Sequence, residues 1–487
     1  MKFKHIYKVG ILSLFVLTGC NKYLEVDPDN RAELNSANAA RELLATAYPQ
    51  ASYVMISESM SDNFSDKGPF GGSLVNPVNR DVYLFQENIL SNGPDSPDFY
   101  WAACYKAIAA ANQTLAYIEN AGNTRDLLPY KGEALLCRAY AHFMLSVFFA
   151  RPYGDVSPET NPGIPYVKEV EDVVLKKYSR GTVKSMYDNI QADLEEGLAL
   201  IGDQSGANSD ASAYHFNKRS AYAFATRFYL FKKDYANVIK YSKLVFPNDV
   251  LITSSIRDVV SYRPLPYLVL AETWSSRTQP TNFLMATAPS QIHTYPSFRY
   301  GANGAFATAF MWKTPPVTAA DYAWNLYGQE NFYNIPKFRE YIYQEQIYNI
   351  AILLTADEVL FNYAEACIET GDFARAFELF KLYLSKKLVH DRPNAPADLY
   401  EWNLEAQFKT LTNSSKRDYY INALLDFKRR EFAFEGMRWL DMIRHRIPVH
   451  HNVVENAQGI TVGANDPRRI LQIPLEVQMS GIEQNPR

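Results

Sequence analysis

The sequence is poor in the features that most directly announce chemistry. It has four cysteines in 487 residues. Beyond Cys20 these are Cys104, Cys137 and Cys367, an odd number with no zinc-like spacing. Each lies in an Ala-rich helical stretch, where a small thiol serves as an inert buried apolar group. The charge balance is 49 Lys and Arg against 53 Asp and Glu, net −4, with a pI near 6.1. Such a chain has no basic footprint, which excludes a nucleic-acid partner. There is no G-x-S-x-G elbow, no H-E-x-x-H, no P-loop and no dinucleotide fingerprint. No catalytic residue, metal or cofactor is therefore expected. The two carboxylates of a glycosidase meet in space rather than in sequence, so a secreted hydrolase stays open on motif grounds alone. The eight histidines form no ligand pattern; His445, His450 and His451 gather near the end of a basic helix, where they cap or solvate. A polar loop with Asp203, Ser205, Asn208 and Asp210 lacks the glycine and terminal glutamate of a calcium loop and reads as a solvated turn.

Long hydrophobic runs are also missing. The apolar stretch Val9 to Leu17 is about half of the roughly 20 residues that cross a hydrocarbon core. It follows Lys2, Lys4 and Lys8 and ends in Leu17-Thr18-Gly19-Cys20, the order of an export signal. That ending resembles the bacterial lipobox, so residues 1–19 are expected to be removed and Cys20 acylated. An ordinary signal peptide with an incidental cysteine is the alternative. Several acyl chains anchor stably where one does not. Residues 20–35 then form a tether. Its start, Asn21 to Asp29, is polar and acid-leaning and looks like a surface-export leader; a generic tether facing the periplasm is the other reading.

The remaining residues, 36–487, suit a single domain: 47% hydrophobic and 21% charged content is globular. From about residue 100 the apolar positions recur with helical spacing. Tyr105, Ile108, Leu115 and Ile118 mark one face; Leu136, Ala139, Tyr140, Phe143 and Val147 mark a second. Val183, Met186, Tyr187, Ile190, Leu194 and Leu198 mark a third. Strand-like alternation is rare, and the fold class is all-α. Two segments repeat each other: Ala221 to Phe246 and Val359 to Leu384 align Lys232-Lys233-Asp234-Tyr235 with Thr370-Gly371-Asp372-Phe373. Val238, Ile239, Ser242 and Val245 then take the places of Ala376, Phe377, Phe380 and Tyr383. The spacing is that of a degenerate tetratricopeptide-type hairpin, which must stack on others to bury its apolar face. The helix Gly132 to Phe149 opens one more.

Two regions break this order, Asp62 to Phe99 and Pro247 to Gln344. Both are rich in Gly, Pro, Asn and Ser and read as irregular loops over the helical scaffold. Loops of that length tend to be functional. From Tyr262 to Tyr343, 18 of 82 residues are aromatic, against 14% for the chain.

Taken in order, the motifs resemble the SusD/RagB family of nutrient-binding outer-membrane lipoproteins of the Bacteroidetes type. After the lipobox come Trp101-x3-Tyr105-x2-Ile108-x3-Asn112 and Gly132-Glu133-Ala134-Leu135-Leu136-Cys137-Arg138-Ala139. Pro152-Tyr153-Gly154-Asp155-Val156, Gly163-Ile164-Pro165 and Tyr187-x2-Ile190-x2-Asp193-Leu194 follow, then Glu358-x5-Ala364-Glu365-Ala366 and Gly371-Asp372. The close is the most specific: Arg430-Glu431-Phe432-Ala433-Phe434-Glu435-Gly436-x-Arg438-Trp439-x-Asp441, Ile473-Pro474-x-Glu476 and Gln484-Asn485-Pro486. The chain departs from the pattern at Thr355 and at Lys386-Lys387, where members usually carry arginine, which suggests a divergent subgroup. The charge ladder Arg429 to Arg444 reads as structural, with Glu435 and Arg438 spaced for an intrahelical pair.

The resemblance implies a scaffold of four tetratricopeptide-like pairs with a loop-rich ligand face. It also implies a place as a lid on a SusC-like TonB-dependent barrel transporter, tethered to the cell outer membrane and facing outward. The ligand would be an oligosaccharide, or on the same scaffold a peptide, captured without being transformed. Aromatic faces stack on sugar rings while Asn, Asp and Arg supply directional hydrogen bonds. Within the two loop regions, which the resemblance marks as the ligand face, Phe70, Trp274, Tyr295, Tyr300, Trp312 and Trp324 are expected as platforms. Each lies beside Gly, Pro, Ser, Ala or Asn rather than on a helical stripe; Asn63 and Asp66 are their polar partners. Cys20→Ala is expected to yield unprocessed or soluble protein that no longer partitions into detergent. Continued fractionation with the outer membrane would rule out the lipid.

Overall fold

A helix that is apolar on every side must be surrounded, and Leu128–Phe149 is such a helix, with every residue from Gly132 to Phe149 buried. It packs between the helices Pro97–Asn120 and Val183–Leu200. Ser96 and Thr182 cap these neighbours, their hydroxyls accepting the N–H groups of Phe99 at 3.2 Å and Ser185 at 3.1 Å. A Cβ on Gly132 would come within 2.6 Å of the Ile201 backbone nitrogen, and one on Gly197 within 2.9 Å of Leu136. The two glycines let these helices touch, and this closeness explains the glycine that opens the Gly132 motif. The computed structural model describes residues 36–487 apart from 72–73, 88, 90, 156, 172–175, 203–211, 309–314, 318–319, 329–332, 391–397 and 413. The leader, Cys20, the tether, the polar loop from Asp203 to Asp210, and Trp312 lie outside the described residues.

The same three helices are tied by charge. Arg138 donates from Nε and Nη2 to both oxygens of Asp193, at 2.6 and 2.8 Å, and from Nη1 to Asn112 at 2.9 Å. Asn112 in turn donates to the carbonyls of Val167 and Glu169. Three residues of the family pattern thus form one buried network.

The repeated segments form two helical hairpins, Lys218–Lys232 with Tyr235–Val245 and Ala356–Glu369 with Phe373–Leu384. Their turns are alike: Lys233 and Gly371 hold φ of +61° and +82°, and Asp234 and Asp372 cap the second helices. Val238, Ser242 and Val245 and their counterparts Ala376, Phe380 and Tyr383 are buried, while Ile239 and Phe377 are half-buried. The hairpins stack, with Ala356–Glu369 against Tyr235–Val245. Arg227 clasps Glu358 across the stack, donating to both carboxylate oxygens at 2.5 and 2.6 Å and to the Leu353 carbonyl at 2.7 Å.

Strands are more numerous than the near absence of alternation suggests. They are β1 (Ser65–Asp66), β2 (Asn282–Pro289), β3 (Tyr300–Gly301), β4 (Ala320–Tyr322), β5 (Glu340–Tyr343), β6 (Gln346–Thr355), β7 (Leu388–His390), β8 (Val449–Val453) and β9 (Asn456–Val462). All pair antiparallel, in a three-stranded sheet of order β2-β6-β5 and in two-stranded sheets β1-β3, β4-β7 and β8-β9. β2 is buried on both faces, which removes the alternation a half-buried strand would show. The β5–β6 turn is Gln344-Glu345, with φ of +47° and +63° at both central residues. That two-residue geometry usually calls for Asn-Gly, and its absence hides the hairpin. The regions expected to be irregular also hold helices, among them Pro77–Tyr83, Asp249–Ser255 and Tyr267–Trp274. Among the described residues no helix is long and apolar enough to cross a membrane.

Removing one partner of a buried ion pair strands the other charge, at a cost of about 3–5 kcal/mol. Arg227→Met is therefore expected to lower the urea midpoint markedly, since the side chains of the pair are only 2% and 5% exposed. An unchanged midpoint would show that the two hairpins stack without this clasp.

Candidate functional site

The loop-bearing face is assembled on the family's C-terminal motif. The buried helix Val54–Met60 runs into the first loop, and its Glu58 accepts from Asn63 Nδ2 and from the Gly436 N–H, both at 2.8 Å. Gly436 has φ +75°, and a Cβ there would come within 3.0 Å of Val54 Cα. Asp62 takes both prongs of Arg438 at 2.8 and 2.9 Å. Arg429 donates to Asn63 Oδ1 and to the Asp62 carbonyl, each at 2.7 Å. Asp66 joins the two loop regions. It binds Arg299 through both oxygens at 2.6 and 2.8 Å and accepts the N–H groups of Gly68 and Val454 at 2.9 Å. Around it β1 pairs with β3, Ser65 opposite Gly301 and Asp66 opposite Tyr300.

These bonds change the expected roles. Asn63 and Asp66 are buried and engaged as clamps rather than offered to a ligand. Tyr295, Tyr300, Trp274 and Trp324 are buried too, at 2%, 4%, 1% and 8% exposure, so none presents an open ring face. Tyr295 packs against Phe64 at 5.9 Å and Phe434 at 5.1 Å, its hydroxyl donating to Asn334. Tyr300 lies 4.7 Å from Tyr83. Trp274 and Trp324 form a second cluster, 6.2 Å apart, with Arg257 over Trp274 and Lys337 reaching both rings. A layer of irregular backbone still needs a core, and large aromatics supply it. Phe70 sits in the short helix Gly68–Gly71, its side chain outside the described set, as is Trp312. The exposed rings among the described residues are Tyr267, Tyr341, Tyr343, Tyr400 and Trp402. Three of them, Tyr267, Tyr341 and Tyr343, fall within the loop regions; Tyr267 directly follows Pro266 and Tyr343 directly precedes the Gln344-Glu345 turn, so proximity to turn residues does not separate exposed rings from buried ones.

Glu435 and Arg438 do not pair with each other. Glu435 precedes the helix Met437–Arg444 and meets Lys337 at 2.6 Å, while Arg438 is bound to Asp62. His445 ends that helix, His450 is exposed, and His451 is buried, stacked on Tyr83 at 4.0 Å rather than capping or solvating. A groove of about 690 Å³ beside the clamps is lined by Glu365, Arg417, Arg429, Arg438, Arg444 and His445, among others. Glu365, Asp441 and His445 bring possible ligand atoms within 4.8 Å of one another. Arg444 donates to both Glu365 oxygens at 2.7 Å and to Asp441 at 3.2 Å, so a guanidinium already fills the role a cation would play. The three buried thiols are free cysteines. Burial pushes Cys367 up to about 12, far from a reactive thiolate.

Two family models match in succession. One, described as starch-binding and associating with the outer membrane, covers residues 22–230; the other, described as the SusD family, covers residues 312–473. The chain belongs to the SusD/RagB family. A SusD superfamily protein of Bacteroides thetaiotaomicron superposes with a TM-score of 0.69 at 17% identity, covering 92% of this chain and 99% of that one. A sugar-binding protein of Bacteroides vulgatus, named as putative, gives 0.68 at 18% identity, with 93% and 99% covered. A SusD-like carbohydrate-binding protein of Bacteroides fragilis gives 0.59 at 15%, with 92% and 98% covered. Among curated proteins none matches this chain.

Burial raises Glu58 from an ordinary 4.5 to about 7, against the opposing pull of Asn63 and the Gly436 N–H. The folded state thus holds this proton more tightly than the unfolded chain does. Its contribution to stability is fully present below about pH 4.5 and is lost as pH rises through about 7. Relative to Glu58→Gln, the native protein is expected to lose stability between pH 5 and pH 8 in parallel urea titrations. A difference that stays flat would show that Glu58 titrates as an ordinary carboxylate.

Proposed function

We propose that this protein captures an oligosaccharide at the bacterial surface and hands it, unaltered, to a TonB-dependent barrel transporter in the outer membrane. Residues 36–487 act as one domain in this reading, held to the membrane through a lipid on Cys20. The observation that carries it is the match of residues 22–230 to a family described as starch-binding and associating with the outer membrane, followed by the match of residues 312–473 to the SusD family. The geometry supports binding without turnover. The acids of the most specific motif are committed to the scaffold: Glu431 to Lys387, Glu435 to Lys337 and Asp441 to Lys428, at 2.8, 2.6 and 2.5 Å. Side chains held this way already have their partner inside the scaffold.

The reading is tested with full-length protein in mild detergent against a panel of glycans and peptides. Retention of a glycan, recovered chemically unchanged after long incubation, is the expected result. Binding of peptides alone would replace the ligand class, and hydrolysis of the glycan would overturn the transport role. From cells grown on the nutrient, pull-down is expected to bring up a large β-barrel protein in about equal amount. Recovery of this protein alone would remove the lid role.

A further inference from the structure

The groove of about 690 Å³ beside the clamps is walled by helices rather than by the loop clusters. The helices Ala356–Glu369, Lys416–Glu431 and Met437–Arg444 supply most of its lining, and its volume falls within the roughly 300–1,000 Å³ of small-molecule sites. Each carboxylate in the wall already has a guanidinium. Glu365 takes two prongs of Arg444 at 2.7 Å, Glu369 those of Arg417 at 2.8 and 2.5 Å, and Asp426 those of Arg430 at 3.0 and 3.2 Å. None of these acids calls for a further cation.

The guanidinium of Arg438 is placed differently. It grips Asp62 side-on through Nε and Nη2, which turns Nη1 away from that carboxylate. Among the described residues Nη1 has no acceptor, although the side chain is only 9% exposed and lines the groove. The other acids that Arg438 feels, Asp441 and Asp426, are held by Lys428 and Arg430. Arg429 approaches the same Asp62 at 3.4 Å, so two guanidiniums crowd one carboxylate. Burial, with Arg438 beside it, lowers Arg429 to about 10. Positive charge is thus disfavoured at this wall, and a negative group in the groove relieves it. Water can accept from a charged N–H, but an oxyanion accepts more strongly and suits the planar fork of arginine.

We propose that this groove is an oxyanion site, where a carboxylate, sulfate or phosphate accepts from Arg438 Nη1 beside Arg429. The chemistry is the same whether the anion is free or carried on a sugar. The inference does not depend on the oligosaccharide reading above.

Calorimetric titration of the full-length protein in mild detergent tests it, with glucuronate, inorganic sulfate and inorganic phosphate as probes and glucose as the neutral control. Anion binding is expected, weakening as sodium chloride is raised, with no binding of glucose. Glucuronate bound alone would place the anion on a sugar, and sulfate or phosphate bound alone would make it a free ion; either result upholds the site. Gln407, half-buried in the lining, makes no side-chain hydrogen bond to the described residues. Gln407→Glu should therefore weaken anion binding about five-fold or more, and Gln407→Lys should strengthen it, with melting temperatures unchanged. Arg438→Lys keeps the charge but removes Nη1, and should weaken binding roughly ten-fold. Should that variant unfold, the Gln407 pair decides. Gln458→Glu, on the exposed β8–β9 hairpin, should change nothing. Failure of the native protein to bind any of the three anions overturns the proposal, as does glucose binding as tightly as glucuronate. Equal anion binding by Gln407→Glu and Gln407→Lys overturns the place. Loss of the barrel partner from Gln407→Glu pull-downs, with small-anion binding intact, would make the groove a protein contact and overturn the proposal.

Discussion

Carboxylates buried against arginine and lysine are the contacts on which the rest of the structure depends. Arg138 holds Asp193, Arg227 holds Glu358, Arg444 holds Glu365, and Lys387 stands between Asp357 and Glu431 at 2.9 and 2.8 Å. Each joins segments far apart in the chain. Taking such ions out of water costs several kcal/mol apiece, and only near-ideal geometry with every remaining valence satisfied offsets it. A slipped helix would leave charges buried and alone. The pairs therefore penalise every wrong stacking of the hairpins more than they reward the right one.

The same device turns two irregular regions into one face. Asp62 and Asn63 are held by Arg438 and Arg429, Asp66 bridges to Arg299 of the second loop region, and Lys337 is drawn down to Glu435. With the backbone pinned from below, the large aromatics of these loops fill the space between clamp and scaffold. Trp274, Trp324, Tyr295 and Tyr300 are the support of the face rather than its outer surface. Ring area open to solvent passes instead to elements with their own hydrogen-bonded frame, such as the β5–β6 hairpin.

The departures from the family pattern have structural answers. Thr355 caps the helix that follows it, its hydroxyl accepting the Glu358 N–H at 3.1 Å, and the cation for Glu358 comes from Arg227 on the neighbouring hairpin. Lys387, fully buried, takes a central position between two acids, while Lys386 meets Asp258 at 3.1 Å nearer the surface. Both positions are thus filled by contacts of this chain's own, in a chain 15% to 18% identical to three solved structures that share its fold.

Local physics made much of the fold legible. Helical periodicity is visible within a few turns, and the shared turn of the two hairpins, Lys233-Asp234 and Gly371-Asp372, is readable because a left-handed residue followed by a capping aspartate is a local requirement. β2 escaped notice because burial on both faces erases its period, and the hairpin escaped because Gln344-Glu345 is an unusual choice for its turn. The sequence by itself determined the helical class, the repeat and the family. Only the tertiary structure decided which acid meets which base, and that Asn63, Asp66 and the four described aromatics face inward while Tyr341 and Tyr343 face out. Exposure is set by what folds over a residue from elsewhere in the chain, and nothing in its own neighbours along the sequence records that.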